Sequence, residues 1–230
     1  MNRFVMKISP IRTKVFKEDD DLLRFIRAHV RHLKNASVLV ISSKIVSLSE
    51  GRTAPISERE RLIKKESDKA VKTAKVWLTI KDGIVMANAG IDESNANGKI
   101  IILPKDSYKS AALLRRALLQ KYKIKNLGII ISDSVVMPRR KGVVGVALGY
   151  AGFKGVKDYK GKKDLFGRKF KFASSNVADS LATAAMVTMG EGNERQPLAI
   201  IENATIVFSE KVSKKEIKMN PKDDMFGSFL

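Results

Sequence analysis

The chain has 230 residues, contains no cysteine and carries a formal net charge of +20 at pH 7. The lack of cysteine excludes disulfides, thiolate metal ligands and cysteine nucleophiles, and it predicts a protein of a reducing compartment such as the cytoplasm. The positive charge predicts a surface that attracts polyanions. Because the basic residues are scattered and form no run of five or more, we do not expect nucleic acid to be the main partner.

The apolar segments predict a packed core and no membrane insertion. Hydrophobic residues make up 44% of the chain, which is enough for a globular fold. Apolar runs such as Val38–Ile41 and Leu127–Ile131 fall far short of the ~20 residues that a membrane-spanning helix needs. The chain is therefore expected to stay out of the membrane.

In the first half of the chain, helices and strands are predicted in mixed order. Asp20–Lys34 has an apolar stripe at helical spacing, with acidic residues at its start and basic residues at its end. Val38–Ser42 is short and apolar, as in a buried strand, and we expect Lys44–Ser49 to continue it towards Gly51. Ser57–Thr73 is charged and has a helical tendency.

Two later helices have clearer signals. Ser107–Tyr122 repeats apolar residues at helical spacing. Val177–Met189 is alanine-rich, with a capping residue at Ser175 or Asn176 before it and Gly190 after it. Val76–Ile80 and Ile84–Ala87 are predicted strands on either side of a turn signal at Asp82-Gly83. The other predicted strands are Ile100–Leu103, Leu127–Ser132, Leu198–Ile201 and Ala204–Phe208.

This order of elements predicts the fold class. Strands and helices do not alternate regularly, which indicates an α+β fold with mixed sheets and packed helices rather than a doubly wound sheet. We predict one domain over residues 1–210, built as one or two lobes, and a polar, lysine-rich tail over residues 211–230.

Asn88–Asn95 (NAGIDESN) is the first segment with the residues for chemistry. It follows a predicted strand and places two amides, two carboxylates and a hydroxyl within eight residues. Such oxygen donors suit Mg²⁺ or Mn²⁺ carried with a phosphate substrate. An inert polar turn, in which asparagines accept unusual backbone angles, explains the same residues. This motif by itself therefore does not distinguish a metal site from a turn.

Two further clusters add to it. Ser132–Ser134 follows a buried strand, where a carboxylate beside a hydroxyl can hold a metal near a ligand crevice. Met189–Glu194 follows the alanine-rich helix, and its two glycines allow the backbone to approach a phosphate closely. A helix cap and a solvated glycine stop are the plain alternatives for these two clusters.

Together these segments resemble the coenzyme F420 gamma-glutamyl ligase family. The resemblance extends in order over roughly residues 5–201 and includes six segments of this chain. They are Ser42–Arg52, Asn88–Asn95, Ser132–Ser134, Gly142–Gly149, Lys157–Arg168 and Ala178–Pro197.

The resemblance implies an activity and an assembly. Members of this family add L-glutamate through a gamma-linkage to a lactyl-phosphate deazaflavin, using GTP and a divalent metal. It implies an acyl-phosphate intermediate, two Mg²⁺ or Mn²⁺ ions with K⁺ as a further cation, GTP as co-substrate, an anionic F420-0-like carboxylate acceptor, and a homodimer with the site near its interface.

The resemblance also assigns roles to residues. Asp92 and Asp133 would bind one metal ion, and Ser134 and Glu191 a second. Asp92, Asp133 and Arg140 would be the catalytic residues. The nucleotide would contact Ser9, Ser43, Lys44, Asn95, Met189, Gly190, Gly192 and Asn193, within a larger loop that ends at Gln196. Ser9 lies in Ile8–Ile11, the counterpart of the family's N-terminal nucleotide loop, where it replaces a glycine.

The chain departs from the family after Ser134. Val135–Arg140 keeps Arg140 but lacks the glycine, the first arginine and the aromatic residue of the family's segment. Leu48 stands where many members have a lysine, and Glu202-Asn203 replaces an arginine–glycine pair. These changes predict a ligase whose acceptor is F420-0-like or another carboxylate. The alternative is a catalytically weak relative that binds nucleotides or polyanions.

Overall fold

The computed structural model describes residues 5–227. In this part of the chain the strands are β1 (Lys7–Ile11), β2 (Ser37–Ser42), β3 (Thr53–Pro55), β4 (Lys69–Lys72), β5 (Trp77–Lys81), β6 (Ile84–Ala87), β7 (Lys99–Ile101), β8 (Leu127–Val136), β9 (Val143–Ala151), β10 (Val156–Asp158), β11 (Ser174–Asn176) and β12 (Leu198–Glu202). The α-helices are α1 (Leu22–His29), α2 (Ser43–Ser49), α3 (Arg59–Glu66), α4 (Ser107–Tyr122) and α5 (Val177–Met189).

A five-stranded mixed sheet organises the larger lobe. Its order is β1-β12-β2-β8-β9, and only the β2–β8 pair is parallel. Its central strands are continuous apolar runs because helices cover both faces. Leu39 and Ile129 pack with α1 and α4 on one face, whereas Val40 and Ile130 pack with α5 on the other. The predicted α+β fold is confirmed.

The predictions for α4 and α5 are confirmed at both ends. Asp106 precedes α4 and its Oδ1 accepts a hydrogen bond of 2.9 Å from the backbone of Lys109. Asn176 precedes α5 and its Oδ1 accepts one of 3.1 Å from the backbone of Asp179. Each cap satisfies a backbone N–H that has no partner within its helix.

Lys44–Ser49 was wrongly predicted as extended, since it belongs to helix α2. Ile45 and Val46 are buried in the core of the larger lobe, and this tertiary burial outweighs their β-branched preference for strands. The helix predicted over Asp20–Lys34 is shorter at both ends, because Asp21 caps α1 and Val30 is already extended.

Two other segments differ from their prediction. Only Arg59–Glu66 of Ser57–Thr73 is α-helical, and the chain then enters β4. Ala204–Phe208 is not a strand; it forms one isolated bridge, between Phe153 and Phe208. Both sides of β12 are already occupied, by β1 and β2, so this segment cannot pair with its neighbour in the chain.

The smaller lobe, residues 52–103, contains a sheet of β4-β5-β6 and a pair β3-β7 packed with α3. The hairpin predicted at Asp82-Gly83 is confirmed. Asp82 and Gly83 have φ values of 53° and 80°, the left-handed pair that a two-residue hairpin turn requires.

A partly buried charge cluster stabilises the smaller lobe. Glu66 Oε2 lies 2.9 Å from Arg52 Nη2 and 2.7 Å from Lys81 Nζ. Burial by itself would raise the pKa of Glu66, but hydrogen bonds from Lys81 and Arg52 outweigh it and hold the pKa below its usual 4.5. The ionised carboxylate therefore favours the folded state.

We expect Glu66→Gln to lower the free energy of unfolding by on the order of 2 kcal/mol near neutral pH, because two partly buried cations lose their anion. A depressed pKa contributes stability above pH 4.5 that is lost as the pH falls through the folded value. The difference in the free energy of unfolding between wild type and variant, measured by urea unfolding, should therefore disappear at acidic pH. Glu58→Gln, in the exposed pair with Arg61, is the control and should cost less than about 1 kcal/mol. Equal losses in both variants would contradict this assignment.

The polar tail packs against the larger lobe as far as the structure describes it. Glu216 Oε2 accepts hydrogen bonds from the Tyr150 hydroxyl at 2.5 Å and the Gly155 backbone at 3.0 Å, and Lys214 lies 2.6 Å from Asp106. Residues 228–230 of the predicted tail lie outside the described residues. Among residues 5–227, no helix combines the length and apolar character of a membrane span.

Candidate active site

A cavity of about 580 Å³ lies where the two lobes meet. Five chain segments form its wall, and they come from distant parts of the sequence. They are Thr13–Phe16, Ser42–Leu48, Asp92–Asn95, Ser132–Ser134 and Met186–Pro197, each of which contributes several lining residues.

The path of β8 places Asp133 in this wall. The parallel pairing of β2 with β8 ends at Ser42 and Ser132, and a bulge interrupts the β8–β9 register at Ile131/Ser132. Contrary to the predicted end at Ser132, β8 continues to Val136 paired only with β9. Asp133 and Ser134 therefore lie beyond the end of β2, where one edge of β8 has no neighbouring strand.

Asp133 has a strongly perturbed pKa. The pKa is raised to about 7 in all: burial is the largest cause and the charges of Asp92 and Glu191 add to it, whereas a hydrogen bond from the Ser134 backbone N–H and the charge of Lys44 lower the pKa. The three carboxylates are thus close enough to influence one another. A bound cation favours the ionised form of such a group.

Lys44 joins the lobes across the cavity. Its Nζ donates to Asp92 Oδ2 at 2.8 Å and to Ser94 O and Oγ at 2.9 Å each. Burial alone would raise the pKa of Asp92, but hydrogen bonds from Lys44 and Ser94 outweigh it and lower the pKa. Asp92 is therefore held ionised and in place.

In the NAGIDESN loop, some residues support the loop conformation and others line the cavity. Asn88 and Asn95 have φ values of 54° and 55°, the left-handed region that asparagine accepts better than most residues. Asn88 Oδ1 accepts a 3.0 Å hydrogen bond from the backbone of Trp77 and so supports the loop. Asp92, Ser94 and Asn95 line the cavity.

The loop after α5 forms the opposite wall. Gly190 has φ 81°, and a Cβ there would lie 2.4 Å from the Glu194 carboxyl carbon. Glu194 Oε2 accepts a 2.8 Å hydrogen bond from the Gly192 backbone. Asn95 Nδ2 donates to Gly192 O at 3.2 Å, which connects this loop to the smaller lobe.

Most of the residues to which the resemblance gave roles meet here. Those that line the cavity are Lys44, Asp92, Asn95, Asp133, Ser134, Met189, Gly190, Glu191, Gly192 and Asn193. Three do not: Ser9 lies in edge strand β1, Ser43 is buried in the first turn of α2, and Arg140 is exposed in the turn between β8 and β9.

Ile8–Ile11, the predicted nucleotide loop, is part of strand β1, which pairs with β12, and it does not line the cavity. Thr13–Phe16 lines the cavity instead. The Thr13 backbone donates a 2.9 Å hydrogen bond to Arg195 O, which fixes this segment beside the loop after α5. Sequence reasoning missed it, since it has no glycine and no carboxylate to mark it.

The donors suit a hard divalent cation, although they are not assembled as a ligand cage. Carboxylates and a hydroxyl are the oxygen ligands that Mg²⁺ and Mn²⁺ accept, and Asp92, Asp133, Glu191 and Ser134 line one cavity. Within residues 5–227, no three acidic or histidine side chains are grouped closely enough to hold an ion by themselves. Such sites commonly use substrate phosphates and water as further ligands.

An α+β fold that gathers carboxylates, a hydroxyl, a lysine and a glycine-containing loop around one cavity has the arrangement of an enzyme's active site. The family model described as F420-0:Gamma-glutamyl ligase matches residues 57–203. The chain is 38% identical over 212 residues to the coenzyme F420:L-glutamate ligase of Methanococcus maripaludis, covering 83% of this chain and 85% of that protein. It is 33% identical over 237 residues to the ligase of that name from Archaeoglobus fulgidus, covering 94% of each. The chain belongs to the F420-0:gamma-glutamyl ligase family and is a ligase.

Proposed function

We propose that this chain is a cytoplasmic ligase that uses GTP and a divalent metal to join L-glutamate to the carboxylate of an F420-0-like acceptor. The observation that carries the proposal is the meeting of Lys44, Asp92, Asp133 and the Gly190–Gly192 loop in one cavity. The names of the relatives support only the glutamate ligation to an F420-type acceptor.

The proposed reaction has two steps. An acceptor carboxylate oxygen attacks the γ-phosphorus of GTP, GDP leaves, and an acyl phosphate forms. The amine of glutamate then attacks the acyl carbon, phosphate leaves with the electrons of the C–O bond, and the amine loses a proton. This chemistry depends on alignment and charge neutralisation rather than on a protein nucleophile.

The cavity residues have separate roles in this proposal. Lys44 moves from Asp92 to a phosphate oxygen, and the Gly190–Gly192 backbone approaches the phosphates. Asp92 and Asp133 hold one Mg²⁺ or Mn²⁺ ion, with Ser134 and Glu191 at a second. When bound, these ions neutralise charge on the transferred phosphoryl group.

The decisive test is phosphate release from GTP in the presence of Mn²⁺, glutamate and F420-0. We expect release that requires both substrates, with one amide formed for each phosphate. A folate-type carboxylate and ATP, tested in parallel, define the acceptor and the nucleotide. Absence of glutamate-dependent release with every acceptor would contradict the proposed reaction.

The second candidate is a polyanion-binding relative with weak catalysis. Its support is the arm, residues 156–176, in which seven lysines and arginines accompany two aspartates. Among the described residues, none of these seven forms an ion pair. Thermal unfolding separates the candidates: a ligase is stabilised by GTP with Mn²⁺, whereas this relative is stabilised equally by RNA without metal.

We also propose that the chain forms a homodimer through the arm. Leu165, Phe166 and Phe172 are 98%, 94% and 91% exposed, and large apolar side chains grouped in this way indicate a protein contact. The arm leaves the end of β9 that pairs with Ile129, so it starts at the far end of the sheet from the cavity.

The double variant Leu165→Glu/Phe166→Glu is expected to shift a dimer to a monomer in light scattering after gel filtration. Two charges in a contact surface would have to be desolvated without partners. Val207→Glu/Met219→Glu changes two exposed apolar residues outside the arm and should leave the mass unchanged. A monomeric wild type at all concentrations would exclude the homodimer.

A further inference from the structure

The hairpin formed by β8 and β9 projects beyond the main sheet and ends in three consecutive cations, Arg139, Arg140 and Lys141. We call these residues the cationic tip. From Asp133 to Val136, β8 has lost its neighbour β2 and pairs only with β9. The three steps from Asp133 to Val136 span roughly 10 Å and the tip lies in the turn just beyond them, so about 10–15 Å separates it from the carboxylate of the cavity wall.

The cationic tip has no compensating acid. No acidic residue occurs between Asp133 and Asp158, and all three tip residues are exposed. In residues 5–227 their side chains take part in neither an ion pair nor a hydrogen bond. Adjacent like charges repel one another, and an anion placed among them removes that cost.

Apolar surface joins the tip to the cavity. Val136 and Met137 on β8 and its turn, and Val143 on β9, are 52%, 47% and 36% exposed. Val136 and Met137 follow Ser134, which lines the cavity, and Val143 is the cross-strand partner of Val136. A ligand that leaves the cavity along this hairpin therefore meets apolar side chains first and cations after them.

The hairpin is braced on both sides, so the tip has a defined position. Val135 packs with Met86 and Leu103 of the smaller lobe. On the other side a Cβ at Gly145 would lie 2.7 Å from Ala182 O, and Thr183 Oγ1 donates to Gly145 O at 2.7 Å. The missing side chain of Gly145 lets β9 lie directly against α5.

We propose that the cationic tip binds a second anionic group of the acceptor, while the reacting carboxylate lies beside Asp133 and Ser134. This rests on the proposed ligase function and deepens it by naming the residues that bind the acceptor away from its reacting carboxylate. The acceptor is an elongated molecule with an apolar section and a second negative charge roughly 10–15 Å from the reacting carboxylate. A phosphodiester and the carboxylates of a gamma-linked glutamate chain share this chemistry.

The test uses the double variant Arg139→Gln/Lys141→Gln, which leaves Arg140 unchanged. The KM for F420-0 should rise about tenfold or more as charge-assisted contacts are lost, whereas kcat and the KM for GTP should stay within about twofold. The control Lys121→Gln/Lys125→Gln also removes two positive charges, near the other end of β8. It should leave kcat and both KM values unchanged.

Substrate variation identifies the second anion. If the tip binds the phosphodiester, the variant loses affinity for F420-0 but not for tri-gamma-glutamate; if it binds glutamate carboxylates, the loss appears with tri-gamma-glutamate. Unchanged affinity for both, or a parallel rise in the KM for GTP, would overturn the proposal.

Failure of the ligase reaction would be recognised separately. It would appear as an absence of turnover in the wild type itself. Equilibrium binding of F420-0 then still tests the tip, since a loss of binding in the tip variant but not in the control supports it. Equal binding by both variants would contradict it.

Discussion

Asp133→Asn is expected to reduce glutamate-dependent phosphate release by about a hundredfold or more, because it removes a carboxylate charge from the cavity wall without changing the shape of the cavity. Asp133 lies with Lys44, Asp92 and Glu191 in the wall of that cavity. Stabilisation by GTP with Mn²⁺ should disappear from the same variant in thermal unfolding.

The pKa of Asp133 provides the control for folding. A carboxyl whose folded pKa is raised to about 7 destabilises the folded state as the pH rises above its ordinary value of 3.8. In metal-free buffer near pH 8, the variant should therefore unfold at a higher temperature than wild type. Asp82→Asn, in the exposed hairpin turn, should keep full activity. Retained activity in Asp133→Asn would exclude the role proposed for Asp133.

Gly152→Ala is expected to destabilise the chain by roughly 3 kcal/mol or more. Gly152 has φ 90°, and a Cβ there would lie 2.1 Å from Leu127 O and 2.3 Å from Arg115 Nε. Arg115 Nε donates to Leu127 O at 2.8 Å, so the new methyl group would separate a buried hydrogen-bonded pair.

Gly161→Ala is the matched control for this effect. Gly161 has a similar φ of 78°, but nothing lies within 4 Å of its added Cβ. It should therefore lose only the ~1 kcal/mol of left-handed backbone strain. Urea unfolding of both variants measures the difference. Equal losses would show that backbone strain, rather than the close approach of Arg115 and Leu127, requires glycine at position 152.

Local signals in the sequence predicted much of the fold. Helices α4 and α5 begin after Asp106 and Asn176 because these side chains satisfy N–H groups at the helix start. The turn at Asp82-Gly83 was recognisable because few other residue pairs accept two left-handed conformations. In each case the determining contacts lie within a few residues of one another.

Predictions failed where distant contacts decide the structure. Ser43–Ser49 is helical because Ile45 and Val46 are buried in the core. Ala204–Phe208 is excluded from the main sheet because β1 and β2 occupy both sides of β12. Neither reason is visible in a short window of sequence, since each depends on which segment arrives as a neighbour.

The sequence by itself determined the family and the ligase class, because six ordered segments resemble one family and the comparisons support that assignment. It also located most of the cavity residues. Only the tertiary structure decided that Thr13–Phe16 joins them, that Lys44 holds Asp92, and that Asp133 titrates near neutral pH. These properties arise from burial and from charges brought together across the two lobes, which sequence spacing does not record.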